Sequence, residues 1–354
     1  MSRYFTSTLA ALEPYTPGEQ LKIPDLVKLN ANENPYPPAP GVAAAVAAQV
    51  DGLRLYSDLT EAKLCAAIAK QNGVRPENVL CGNGSDENLL LAIRAFCDAG
   101  HPLVYADITY SFYPVLCDLL HVPSRVIPLE EDFSIDLTRY YGLKDCTIVI
   151  ANPNAPTSLA RPAAELEEVV RRNPDSIVII DEAYVDFAPA GTSCVPLVEK
   201  YPNLIVTQTF SKSRNLAGAR LGFAIADPAL IADMNKVKFS YSPYNINSLS
   251  EAAGAAAMED TAYFTTTIAK ICSTRQTTAE QLRAMGFTVL DSATNFLFVT
   301  TDRVPCKRLF EALRARGILI RYFSAPRIDN WLRITIGTPE QMQKLLDALA
   351  ELLA

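Results

Sequence analysis

The stretch "TQTFSKSRNLAGARLGF", residues 207–223, decides the fold. An apolar run, "NLIVTQTF", leads into small and hydroxyl residues, a lysine at 212 and an arginine at 220, and then a second apolar run, "LGFAIA". Strands apolar on both faces belong to sheets covered on two sides. In such sheets, ligands sit just beyond the strand ends. By itself Lys212 reads more readily as a solvated loop cation, and the rest of the chain has to decide.

Upstream, "NVLCG", "PLVYAD", "SRVIPL", "CTIVIAN" and "SIVIID" complete a set of seven strand candidates. Helical spacing appears between them in "LTEAKLCAAIAKQNG" and "DENLLLAIRAFCDAG", each closing on a glycine suited to a helix C-terminus. Strands joined through helices predict an α/β unit with a mostly parallel seven-stranded sheet between helices, over residues 40–250. Residues 251–354 read as a smaller α+β unit. A long helix from about Thr261 to Met285 opens it, the short strands "FTVL", "NFLFVT", "ILIRYF" and "LRITIG" follow, and "PEQMQKLLDALAELLA" closes the chain. Residues 1–39 lack periodicity and read as an extended arm packing with the small unit.

The 354 residues carry a net charge of −7 with acids and bases scattered along the chain, which argues against a nucleic-acid footprint and favours small-molecule partners. Eight cysteines without a CxxC pair suggest neither a disulfide framework nor a zinc site, so no metal is expected. No signal-peptide pattern or membrane-length apolar run is present, and a cytoplasmic location is expected. The two histidines, His101 and His121, sit in turn contexts, so imidazole-based triads are poorly supplied.

Four strand ends carry the chemistry. "CGNGSDENLLLAI" (81–93) feeds a glycine-rich turn into a helix, whose free amides at Gly84, Ser85 and Asp86 suit a phosphate; a capped tight turn is the alternative. "SIVIIDEAYVDF" (176–187) ends a buried strand on Asp181, a carboxylate that requires a partner, with Tyr184 three residues on. "IANPNAPTS" (150–158) brings amide groups, and the opening stretch brings Lys212 and Arg220. One ligand uses all of them: pyridoxal 5'-phosphate, whose aldehyde a lysine holds covalently and whose ring nitrogen an aspartate keeps protonated.

The ordered set "LEPYTPG", "LNANENPYPP", "GNGSDE", "TYSFYP", "NPNAPT", "DEAYVDF", "TFSKSRNLAGARLGF", "TNFLFV" and "LRITIGT" resembles the fold type I, class I/II aminotransferases over nearly the whole chain. Within that family the likeness is to members acting on histidinol phosphate. The resemblance implies that Lys212 binds the cofactor, that Asp181 pairs with its ring nitrogen, and that Tyr184 donates to its ring oxygen. It implies that Gly84, Ser85, Asp86, Ser211 and Arg220 cradle the phosphate and that Tyr110 stacks on the ring. Tyr56 matches a tyrosine sent into the neighbouring subunit, which implies a homodimer. Tyr15, Asn32, Arg321 and Arg333 match substrate positions, the arginines holding the phosphate of L-histidinol phosphate or the carboxylates of glutamate and 2-oxoglutarate. Arg327 is a stand-in for Arg321, and Arg214 has no assigned role.

Three positions depart from the family pattern. Ala155 stands where an asparagine usually bonds the ring oxygen, leaving Asn154 or Asn152 as substitutes. Ser158 replaces a glycine, and Ser57 follows Tyr56 where proline is commoner. The implied reaction is a ping-pong transamination. Aromatic amino-acid transaminases and decarboxylases of phosphorylated amino acids share most of these motifs, and a non-catalytic nucleotide-binding protein on a doubly wound sheet is the rival from another class.

Overall fold

A computed structural model of the chain describes residues 2–16 and 18–354. The first strand, β1 (Val27–Lys28), lies in the extended opening segment. All seven expected strands of the large unit form: β2 (Val79–Gly82), β3 (Leu103–Ala106), β4 (Ser124–Ile127), β5 (Thr147–Ala151), β6 (Ile177–Asp181), β7 (Leu204–Thr209) and β8 (Gly222–Ala226). They make one sheet in the order β2-β8-β7-β6-β5-β3-β4. Its pairs are parallel except that β8 runs antiparallel to both β2 and β7.

The period-2 geometry of the strands explains the continuous apolar runs. Ile148, Ile150, Val178, Ile180 and Val206 enter one core cluster, while Val149, Ile179 and Ile205 point the opposite way into another. Helices cover both faces. Helix Ala62–Asn72 ends on Gly73 in the left-handed region (φ 68°), as its sequence predicts. Helix Ser85–Phe96 differs from expectation: it stops at Phe96, short of Gly100, because the Asp98 carboxylate accepts from the backbone N–H groups of Gly100 (2.7 Å) and His101 (3.0 Å) and holds a turn there.

The smaller sheet has the order β12-β13-β10-β9, all antiparallel, from β9 (Thr288–Val289), β10 (Phe296–Thr300), β12 (Arg321–Tyr322) and β13 (Leu332–Thr335). The run "ILIRYF" supplies two strands rather than one. Its first half, β11 (Ile318–Leu319), leaves the sheet to pair in parallel with β1. Helix Thr261–Ala284 spans the units, and Arg214, without a role in the sequence, packs flat on it. Its guanidinium carbon lies 3.4 Å from the Phe264 ring centroid and it donates to the Ala257 carbonyl. A further apolar cluster joins Ala106, Ile108, Leu129 and Phe133 of the large unit to Phe298 and Ile328 of the small one. A cavity lies where the strand ends of the large sheet face the small sheet and the arm.

Candidate active site

A cavity of about 480 Å³ lies beyond the C-terminal ends of β5, β6 and β7. Its walls include Gly84, Ser85, Asp86, Tyr110, Asp181, Tyr184, Ser211, Lys212 and Arg220 from the large unit, Tyr15 and Asn32 from the arm, and Arg321 and Arg333 from the small sheet. Thirteen of the fifteen sequence-predicted positions therefore converge; Tyr56 and Asn154 do not.

Lys212 follows β7 by three residues and is half-buried. Its amine donates to the Ala31 carbonyl (3.3 Å). Burial, followed by the nearby Arg333 cation, brings its pKa down to about 8, so a neutral amine is accessible near physiological pH. The arm fixes the lysine loop through two amides: Asn34 Nδ2 donates to the Lys212 carbonyl (2.9 Å) and Asn215 Nδ2 to the Tyr36 carbonyl (3.1 Å).

Asp181 closes β6, 4% exposed, on the opposite sheet face from Glu182. Desolvation pushes its pKa up to about 6 despite hydrogen bonds from Tyr113 Oη to Oδ2 (2.8 Å) and from Thr207 Oγ1 to Oδ1 (3.3 Å). A buried acid with no salt-bridged cation among the described residues is the environment in which a protonated ring nitrogen is a favourable partner. Tyr113 and Thr207 escaped the sequence reading. Tyr113 stands inside "TYSFYP", three residues after Tyr110, and that spacing, one helical turn, is the only signal the sequence carries; the structure buries it fully in the first turn of helix Phe112–Leu120.

The turn ahead of helix Ser85–Phe96 needs its glycines. Gly84 has φ 79°, and a Cβ there would lie 2.8 Å from Arg220 Nη2. A Cβ on Gly222 would lie 2.2 Å from the Ser85 nitrogen. One expectation changes here: the Gly84 N–H is spent on the Gly82 carbonyl (2.8 Å), so the open donors start at Ser85 and Asp86, and Gly84 contributes room. The Asp86 carboxylate is held away by Tyr110 Oη (2.9 Å) and Arg220 Nη2 (3.3 Å), leaving its backbone amide for an anion. Arg220 adopts φ 53°, an uncommon conformation for a side chain of this kind, and turns back toward the Gly84 turn. Ser211 is buried, its hydroxyl accepting from Thr209 Oγ1 at 3.0 Å.

Tyr184 Oη accepts from Asn32 Nδ2 (2.9 Å), and its ring packs edge-on against Phe296 at 5.1 Å. Asn32 thus lines the cavity with its amide already engaged. Tyr15 packs against Tyr110 (6.2 Å between centroids) and Phe112 (6.0 Å). Arg321 and Arg333 face each other across the β12–β13 pair. Like charges directly opposite are unfavourable unless an anion joins them. Arg333 Nε is buried without a hydrogen-bond partner, and burial lowers the pKa of its guanidinium.

Two expectations are corrected by side-chain geometry. Asn154 cannot serve the ring oxygen from where it stands: its Nδ2 donates to the Ile108 carbonyl and Thr157 Oγ1 (2.9 Å each), its Oδ1 accepts from Thr109 Oγ1 (2.7 Å), and it lines a neighbouring cavity. Asn152 is likewise spent on the Arg161 backbone. Arg327 does not substitute for Arg321; it bonds the Asp107 carboxylate (3.0 Å) and the Leu129 carbonyl (3.1 Å). Tyr56 is 83% exposed, stacked on Tyr244 at 4.5 Å. Neither histidine reaches the cavity, and no cluster able to hold a metal occurs among the described residues. No helix among them is long and apolar enough to cross a membrane.

A family model described as aminotransferase class I and II matches residues 24–349. Histidinol-phosphate aminotransferase of Acinetobacter baumannii is 47% identical over 353 residues, 99% of this chain and 97% of that protein. Histidinol-phosphate aminotransferase 1 of Bordetella parapertussis is also 47% identical, over 99% of both chains. Among solved structures, histidinol-phosphate aminotransferase from Sinorhizobium meliloti in complex with pyridoxal-5'-phosphate superposes with TM-score 0.88 at 25% identity, covering 100% of this chain and 98% of that one.

Proposed function

The chain belongs to the class I and II aminotransferases, and from that premise we propose that it moves the amino group of L-histidinol phosphate to 2-oxoglutarate, using pyridoxal 5'-phosphate, as a homodimer. The observation that carries this reading is one cavity holding a lysine whose pKa burial lowers to about 8, a buried carboxyl whose pKa burial raises to about 6, and two arginines set opposite each other. Relatives that bear this activity's name at 47% identity over nearly full length support it.

The residues fit the cofactor. The open amides of Ser85 and Asp86 at a helix N-terminus, with Ser211 and Arg220, suit its phosphate. Gly84 and Gly222 leave the backbone room that a Cβ would fill. When bound, the cofactor supplies an aldehyde for a lysine amine and a ring that takes up negative charge. Asp181 would hold the proton on the ring nitrogen, since a desolvated carboxylate gains from a positive charge beside it. Tyr184 would donate to the ring oxygen and Tyr110 would stack on the ring. Lys212 Nζ would take the proton from the substrate Cα and return it to the cofactor's C4', the carbon on the far side of the shared nitrogen, a general-base role typically worth about 10² to 10⁴-fold.

Arg321 and Arg333 grip the substrate phosphate, and in the second half of the cycle the dicarboxylate, since a guanidinium fork matches either anion. Tyr15 covers the bound substrate. Tyr56, with Leu53 and Leu55 at 50% and 61% exposure, gives an apolar face for a second copy, and Tyr56 of that copy completes the phosphate cradle.

The test is a single-turnover titration of the cofactor-loaded protein with L-histidinol phosphate, phenylalanine and glutamate in parallel, following visible absorbance. Histidinol phosphate and glutamate are expected to convert it, histidinol phosphate far faster than phenylalanine. Faster conversion by phenylalanine would overturn the substrate assignment while leaving the cofactor in place.

A further inference from the structure

We propose that Thr335 and Asn32 form a positioning relay that sets the direction of the Tyr184 hydroxyl hydrogen, turning it into the cavity toward the cofactor's ring oxygen. The proposal rests on the cofactor reading above. It concerns how this chain serves that oxygen with Ala155 in the wall and with the amides of Asn152 and Asn154 spent elsewhere.

Thr335 ends β13, and its Oγ1 accepts the backbone N–H of Asn32 at 2.9 Å. A backbone N–H can only donate, so the hydroxyl's own hydrogen goes to its other neighbour, Asn32 Oδ1, at 3.0 Å. With Oδ1 facing Thr335, Nδ2 faces Tyr184 and donates to Oη at 2.9 Å. A Tyr oxygen that accepts this bond keeps its single hydrogen for an acceptor on the cavity side. Turning the Asn32 amide over would present Nδ2 to Thr335 and leave a buried hydroxyl hydrogen without an acceptor, at 1% and 2% exposure for the two residues.

The relay cannot swing as a body. Asn32 sits at φ 54°, its carbonyl accepts from Asn295 Nδ2 (3.0 Å), and the Thr335 N–H is bonded to the Leu29 carbonyl (3.0 Å). Thr335 is therefore a positioning residue: it lies outside the cavity wall and acts through Asn32.

A donor on the ring oxygen stabilises its negative charge. Without that donor the oxygen holds more tightly the adjacent proton on the nitrogen by which Lys212 binds the cofactor. The experiment is a pH titration of the visible absorbance of the cofactor-loaded protein in Thr335→Val, Thr335→Ser and Asn32→Asp. Thr335→Val removes the hydroxyl, and its midpoint is expected to rise by about one pH unit, a tenfold change in proton affinity. Asn32→Asp, a side chain that only accepts when ionised, captures the Tyr184 hydrogen and moves the midpoint the same way. Thr335→Ser keeps the hydroxyl and titrates as the unsubstituted protein does. An unmoved midpoint in Thr335→Val, or a serine variant that follows valine, overturns the relay. If the unsubstituted protein develops no such absorbance, the cofactor reading falls first and the relay with it, a result distinct from an unmoved midpoint.

Discussion

At the scale of single residues, what the site does depends on how far each ionisable group is held from water and which charge lies beside it. Lys212 has its pKa lowered to about 8, first by burial and then by Arg333. Its neutral fraction therefore rises as pH climbs through 8, and capture of added pyridoxal, the cofactor analogue without its phosphate, should follow that curve. Arg333→Ala removes the second cause and leaves the first, so the midpoint should move upward by less than about one unit, measurable by borohydride trapping across pH. A midpoint that stays or falls would refute the electrostatic role assigned to Arg333. Lys212 was legible because the lysine, its serine and its arginine follow a buried strand in one continuous stretch. Asn154 misled because a neighbouring amide in sequence need not face the same way. The chain turns through Pro153 and Pro156, and Asn154 ends among Ile108, Thr109 and Thr157.

At the scale of elements, the phosphate turn depends on a pair of glycines across two strands. Gly82 and Gly222 are register partners in the β2–β8 pair, and the chain after Gly82 folds back over Gly222. With a Cβ 2.2 Å from the Ser85 nitrogen and 2.3 Å from the Gly84 carbonyl carbon, Gly222→Ala must push the turn away or bend β8. A loss of about 1–3 kcal/mol in urea unfolding is expected from overpacking alone. Affinity for pyridoxal phosphate should fall at least tenfold, since the Ser85 and Asp86 amides move with the turn. Normal cofactor affinity in this variant would show that those amides do not hold the phosphate. β8 is also the one strand that reverses direction. Its apolar pattern gives no sign of that, because parallel and antiparallel neighbours bury the same side chains.

At the scale of the whole molecule, the small sheet brings Arg321 and Arg333 to the cavity and Thr335 to Asn32 behind its wall, and its seating on the large unit decides their reach. Arg327 fastens that seat through the Asp107 carboxylate and the Leu129 carbonyl, beside the apolar cluster of Phe133, Phe298 and Ile328. Trp331, the only tryptophan in the chain, stacks on Phe298 at 4.7 Å within the same contact and reports on it. Arg327→Ala should cost about 1–3 kcal/mol for lost charge-assisted bonds. It should also raise the quenching of Trp331 by acrylamide and raise KM for the phosphorylated substrate, with the cofactor's absorbance unchanged. Unaltered quenching and KM would place the hold on the small sheet in the apolar cluster alone.

By itself the sequence determined the seven-stranded sheet, the smaller sheet beside it, and the motifs that converge at the strand ends. Each of these is written locally, as runs of β-branched residues, turn glycines and charges placed where a buried strand stops. Only the tertiary structure decided which donors remained free. The spent N–H of Gly84, the Tyr113 bond to Asp181, the division of "ILIRYF" between two sheets and the chain Thr335–Asn32–Tyr184 all join residues far apart in sequence or depend on the direction of a hydrogen. Hydrogen-bond capacity is assigned by proximity in space, and a linear pattern of residues carries no record of which partner arrives first.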